Sequence, residues 1–135
     1  MDKIIFETKN WKVILAEDQT YLGRSSAVLK RPARFLSELS EEEIIDFLNV
    51  VRTFEQKAKD GLGARMFNWG CLMNNAYQEK DPKPQVHFHV RPRYDRPVEL
   101  LGEKFKDPNF GYHYQRNSRK LVSEEISEAI VERLK

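Results

Sequence analysis

Two of the chain's three histidines lie two residues apart in the stretch Pro84-Gln85-Val86-His87-Phe88-His89-Val90-Arg91-Pro92-Arg93. This stretch alternates polar and apolar residues as a half-buried strand does. Successive side chains of a strand point to opposite faces, which groups Gln85, His87, His89 and Arg91 on one face and Val86, Phe88 and Val90 on the other. The second set is a core wall. The first offers two imidazoles about 7 Å apart and a fixed positive charge along one line, hence a nucleophile, a hydrogen-bond donor and an anchor for an anion. A phosphate ester or anhydride is the substrate that uses all three.

The rest of the chain must supply a sheet to hold that strand and a layer to cover its apolar side. Ile4-Ile5-Phe6 and Trp11 to Leu15 are β-prone runs separated by Thr8-Lys9-Asn10, which predicts an antiparallel pair. Ala27-Val28-Leu29 predicts a third strand, ended by Pro32. Ser40-Glu41-Glu42-Glu43 carries the residues of a capping box, with Leu39 and Ile44 placed as its hydrophobic staple. A long helix is expected from Ser40, with Ile44, Phe47, Leu48, Val51, Phe54 and Ala58 as its apolar stripe and an end near Gly61 or Gly63. Met66 to Met73 reads as an interior strand pairing with the histidine strand, and Arg96 to Arg119 as loop wrapped round a rim. Ser123 to Leu134 predicts a terminal helix with an acidic first turn.

Composition narrows the partners. The 135 residues suit one domain. Its 23 Lys and Arg against 21 acids leave a net charge of +2, too little for general attraction to a nucleic-acid polymer or an anionic membrane. Recognition of an anion must therefore be local. A lone Cys71 excludes an internal disulfide and, within an apolar run, predicts a buried thiol. No run approaches the roughly 20 apolar residues of a membrane span, and no secretory leader is apparent, so the cytoplasm is the expected compartment.

Within this frame, Gln85-Val86-His87-Phe88-His89-Val90 resembles the signature of the histidine triad (HIT) family, three histidines at alternate positions of a strand. Gln85 occupies the first slot, His87 the central one and His89 the third. Arg91-Pro92-Arg93 resembles the proline-arginine ending of the family's dinucleoside polyphosphate hydrolases. Asn74, thirteen residues before His87, stands where the family places an amide, and Leu22-Gly23 through Val28 to Pro32 resembles its earlier strand and turn. The resemblance covers Trp11 to Arg93, taken as the core of one HIT-like domain over 1–135, with a less typical loop and helix over 94–135. It implies an α+β fold: an antiparallel sheet of about five strands, one long helix and a C-terminal helix.

The resemblance further implies a nucleotidyl hydrolase or transferase that cleaves a nucleoside phosphoanhydride or phosphoramidate at the α-phosphorus, with dinucleoside polyphosphates leading and a nucleoside monophosphate such as AMP or GMP as product. His87 would attack through Nε2 and form a covalent nucleotidyl-imidazole, its Nδ1–H held by a main-chain carbonyl near Gln85. His89 and Asn74 would contact the phosphate as charge builds, without a metal or other cofactor. A homodimer is implied as well. Gln85 departs from the family pattern: an amide carries no proton relay, although it can donate to a phosphate oxygen or hold a neighbouring group. That departure keeps open a second reading, a nucleotide-binding protein of weak or no activity. The loop Lys80-Asp81-Pro82-Lys83-Pro84 also departs from the family's small polar residues, leaving Lys83 and Arg91 as candidate phosphate contacts. Glu17 and Asp18 are candidate ribose acceptors, and Trp11, Val13, Leu15 and Leu29 candidate apolar contacts for a base, while Ala16 stands where relatives keep their ribose-binding residue. His113, among Phe110, Tyr112 and Tyr114, is read as part of a packed surface cluster rather than a base cover.

Overall fold

A computed structural model of the chain describes residues 2–135. The β-prone runs form strands β1 (Lys3–Glu7), β2 (Trp11–Leu15) and β3 (Ser25–Leu29). Helix α1 (Glu41–Leu62) and strand β4 (Met66–Gly70) follow, then the histidine strand β5 (His87–Arg93). A short hairpin, β6 (Val98–Leu100) and β7 (Glu103–Phe105), and a terminal helix α2 (Glu124–Leu134) complete the order. The first five strands make one antiparallel sheet in the order β1-β2-β3-β5-β4. Both helices contribute to the core on its apolar side, so the α+β architecture is as expected.

Position β5 takes in that sheet is what aims the histidines. Its alternation sends Phe88 and Val90 into the core, where Phe88 stacks on Phe47 of α1 with ring centroids 4.2 Å apart. Pro92 is tolerated in this inner strand because the β3 ladder ends at the Ser25–Val90 pair, leaving its missing N–H without a partner strand to serve. Strand β4 lies at the sheet's edge and ends at Gly70, contrary to the interior strand expected over Met66 to Met73. Its apolar residues are covered by α1 from one face rather than flanked by strands: Phe67 and Trp69 meet Phe54 edge-on.

The capping box forms as its residues require. Ser40 accepts from the Glu43 N–H, and Glu43 accepts from the Ser40 N–H. Glu43 is buried and also takes a two-point bond from Arg31, at 2.9 Å on each oxygen. The helix ends at Leu62, with Gly63 in the left-handed conformation that closes it. Its buried stripe is turned from the one expected: Val50, Phe54, Ala58 and Leu62 are buried, whereas Ile44 and Leu48 are exposed. The apolar face of α1 is broader than the sheet it covers, and Trp11, whose indole N–H bonds the Glu43 carbonyl, fixes which part turns inward. Gly61 stays helical because α2 docks there; a Cβ at this position would lie 2.2 Å from the Arg133 carbonyl.

The segment after β5 is tied down by Arg93, the last residue of the Arg91-Pro92-Arg93 ending. It is fully buried. Its guanidinium grips Asp107 at 2.7 and 3.0 Å and donates to the Asn68 side chain and to the carbonyls of Asn109 and Tyr112. The hairpin β6–β7 also escapes sequence reasoning, because its two turn residues, Leu101 and Gly102, take positive φ angles of 50° and 83° without the Asn-Gly or Asp-Gly pair that announces such turns. Among the described residues no helix is long and apolar enough to cross a membrane.

Two outcomes follow from these anchors. Arg93→Ala strands the Asp107 carboxylate without its charge partner and is expected to cost about 3–5 kcal/mol, read as a lowered urea midpoint. The Arg31 guanidinium and the Ser40 N–H hold the Glu43 carboxyl at about 2, below its ordinary 4.5. The charged form therefore stabilises the fold above pH 4.5, and this contribution fades as pH falls towards 2. The stability gap between the wild type and Glu43→Gln is expected to shrink over that window in urea titrations at stepped pH.

Candidate functional site

The two histidines meet edge-on, with ring centroids 4.7 Å apart and planes at 89°. Nδ1 of His87 lies 2.8 Å from the Gln85 carbonyl oxygen, and its Nε2 lies 3.1 Å from Nε2 of His89. A carbonyl can only accept, so Nδ1 of His87 carries a proton, and in the neutral ring Nε2 offers a lone pair. The proton between the two rings then belongs to His89. That leaves Nδ1 of His89 as the acceptor for the Ser26 hydroxyl, 3.3 Å away. The result is a directed line of hydrogen bonds, Ser26 to His89 to His87 to the Gln85 carbonyl, which orients a nucleophilic nitrogen and places an N–H donor beside it.

Sheet register builds this line. Ser26 faces His89 across β3 and β5, Val28 faces His87, and Gly70 of β4 faces His89 from the other side without a side chain to obstruct it. The Cys71 sulfur lies against the His87 main-chain N–H; it is half-buried rather than buried, and burial pushes its thiol up.

A cleft of about 300 Å³ opens beside His89. Of the residues singled out from sequence, it brings together His89, Arg91, Asn74 and Asp18. His87 does not line the cleft itself; it is linked to it through His89, whose Nε2 lies 3.1 Å from its own. Asp18 is an organiser of the wall, accepting from the Thr20 N–H, the Thr20 hydroxyl, the Lys120 N–H and Arg24. Asn74 is exposed at the start of a single helical turn (Asn75–Gln78), its side chain free of any capping bond.

Four expectations need correction. Gln85 precedes the strand, and its amide is spent on main chain, donating to the Leu29 and Arg31 carbonyls at 2.8 Å and accepting from the Ala33 N–H at 3.1 Å. It holds the turn after β3 and has no donor left for a phosphate. Lys83 lines a separate groove with Arg34, Glu38 and Gln85, because the proline-bounded loop carries it away from the His89 side. Glu17 is exposed, pairs with Arg119 and borders another hollow near α2, since the bend after β2 turns it opposite to Asp18. Trp11, Val13, Leu15 and Leu29 are buried beneath the helices and offer nothing to a base.

Sequence reasoning missed Ser26, Arg24, Tyr114 and Arg116. Ser26 becomes visible only once the β3–β5 register is known. Arg24 follows Gly23, whose φ of 86° permits a tight turn braced by the buried Gln19 side chain. Tyr114 and Arg116 come from the aperiodic segment after β5: the Arg91 guanidinium stacks 3.8 Å above the Tyr114 ring, and Arg116 lies 6.0 Å from it. His113 is exposed: its ring bonds the Tyr114 carbonyl at 2.6 Å, and its own carbonyl accepts from the Asn109 side chain.

No family model and no curated protein matches the sequence. Solved structures do match the fold. A hypothetical histidine triad nucleotide-binding protein from Sulfolobus tokodaii superposes with a TM-score of 0.73 at 18% identity, over 99% of this chain and 81% of that one. A histidine triad protein from Marinobacter aquaeolei gives 0.73 at 19%, over 98% and 85%. A zinc-bound histidine triad family protein from Mycobacterium smegmatis gives 0.62 at 19%, over 97% and 82%. The chain has the histidine triad fold.

Burial, then the charges of His87, Arg24 and Arg91, bring His89 down from 6.5 to about 4. Between those values the unfolded chain takes up a proton that the folded chain refuses, so stability falls as pH drops through this window. An NMR titration is expected to show the His89 ring charging only near pH 4, and at a higher pH in Arg91→Gln.

Proposed function

We propose that the protein is a nucleotidyl hydrolase or transferase acting at the α-phosphorus of a nucleoside phosphoanhydride or phosphoramidate, dinucleoside polyphosphates foremost. The observation that carries this reading is the oriented pair: His87 with Nδ1–H fixed on the Gln85 carbonyl and Nε2 facing the His89 N–H at 3.1 Å. In the reaction the arriving phosphate takes that N–H from His87, freeing the lone pair for attack. The Nε2–P bond forms as the bond from phosphorus to the leaving group breaks, and the His89 proton passes to the departing atom. Water then attacks phosphorus, returns a proton to His89 and releases the nucleoside monophosphate from His87. Arg91 and Asn74 contact the phosphates, and Asp18 orients Arg24 beside them. No step calls on a metal or cofactor.

Gln85 fits this scheme by its carbonyl, which orients His87 whatever side chain the residue carries. Its fully engaged amide supports a structural task, which lessens the weight of the missing first histidine. The purified protein is expected to release AMP from diadenosine polyphosphate and to form an acid-labile, alkali-stable adenylyl adduct. His87→Ala should abolish both, and His89→Ala should slow release by about 10²–10⁴-fold. Nucleotide binding with no adduct and no AMP would instead establish the binding-only reading.

A homodimer belongs to the same proposal. Strand β4 leaves its outer edge unpaired, and Ile45, Leu48, Arg52 and Glu55 share one face of α1. Glu55 bonds the Trp69 indole of β4 at 2.8 Å, which sets the exposed Ile45 and Leu48 alongside that edge. Sedimentation is expected to show a dimer that Ile45→Glu with Leu48→Lys converts to a folded monomer.

A further inference from the structure

The cleft beside His89 is positively charged out of proportion to its surroundings. Arg24, Arg91 and Arg116 all line it, against the single carboxylate of Asp18. Clustered guanidiniums repel one another, and a fold keeps them together where an anion completes the site. Much of their hydrogen-bonding capacity is unspent. Arg24 gives one bond to Asp18 at 3.2 Å, while its Nε–H is buried without a partner. Arg91 is half-buried and has no carboxylate within reach among the described residues; its guanidinium carbon lies 3.8 Å over the Tyr114 ring, a contact that spends no hydrogen bond. Among the described residues Arg116 has no carboxylate partner either, and lies 6.0 Å from the Tyr114 ring centroid.

These groups are held by construction. Arg91 extends the histidine face of β5, and Arg24 is set by the Gly23 turn. Tyr114 and Arg116 arrive on the segment that the Arg93–Asp107 pair anchors, and the Gln115 N–H bonds the Tyr21 hydroxyl at 2.8 Å. At about 30 Å³ per liquid water, 300 Å³ corresponds to roughly ten waters, room for more than one phosphate group.

We propose that this cleft is a polyphosphate subsite, seating the two or more phosphates that lie beyond the one attacked by His87. The proposal rests on the nucleotidyl-transfer reading for its place in the reaction, while the anion site itself stands on the arginines alone. It assigns the leaving group: a condensed phosphate chain, free or carrying a second nucleoside, in preference to the neutral amine of a phosphoramidate.

Calorimetric titration with inorganic tripolyphosphate tests the site on the whole chain without any turnover. Binding is expected in the wild type and in His87→Ala and Lys83→Gln, and at least tenfold weaker in Arg91→Gln with Arg116→Gln. Arg116→Gln alone, on an exposed segment, should weaken binding without moving the thermal midpoint. ATP should compete with tripolyphosphate, and AMP should not. The inference is overturned if tripolyphosphate fails to bind at millimolar concentration, if the double variant binds it as well as the wild type, or if AMP displaces it as readily as ATP. Tripolyphosphate binding in this pattern without AMP release from any dinucleotide would sink the catalytic reading and leave the subsite standing. Turnover without tripolyphosphate binding would do the reverse.

Discussion

Strand β5 serves two faces at once, and the molecule is arranged around that obligation. Its even-numbered residues close the core against α1, so its odd-numbered residues, two histidines and two arginines, have nowhere to go but the opposite face. A slip of one residue would bury the imidazoles and expose Phe88 and Val90. The apolar packing of Phe88 on Phe47 and Trp11 therefore fixes the site's geometry as firmly as any polar contact within it.

On the polar face, the four odd-numbered side chains do different work because their neighbours differ. His87 meets a carbonyl, His89 meets a hydroxyl and an imidazole, Arg91 meets an aromatic ring, and Arg93 meets a carboxylate. Only Arg93 is fully neutralised, and it is the one that is buried. Its cost of burial is offset by five hydrogen bonds, and the benefit is that residues 107–116 are drawn over the sheet. That same segment brings Tyr114 and Arg116 to the cleft. A structural ion pair at one end of β5 thus completes the wall of the cleft beside the histidines.

Gln85 divides its tasks between backbone and side chain. What orients His87 is a main-chain oxygen, available from any residue, and the glutamine side chain is occupied with the turn that follows β3. The amide makes three bonds that hold the strand's approach. The orientation of His87 and local stability are served by different atoms of one residue.

The sequence by itself determined the phase of β5 and the main strands and helices, the β6–β7 hairpin excepted. Period-two alternation, the Ser40 capping box and the Ser123 cap are local codes, read from residues within a few positions of one another. It could not decide the edge position of β4, the inward face of α1, or which of Glu17 and Asp18 reaches the cleft, because those depend on packing between distant segments. The pairing of Ser26 with His89 spans 63 residues and the Tyr21 to Gln115 bond 94, and neither leaves a periodic trace. Tertiary structure alone put Arg24, Arg91 and Arg116 round one cavity, since like charges are brought together only by the anchors that outweigh their repulsion.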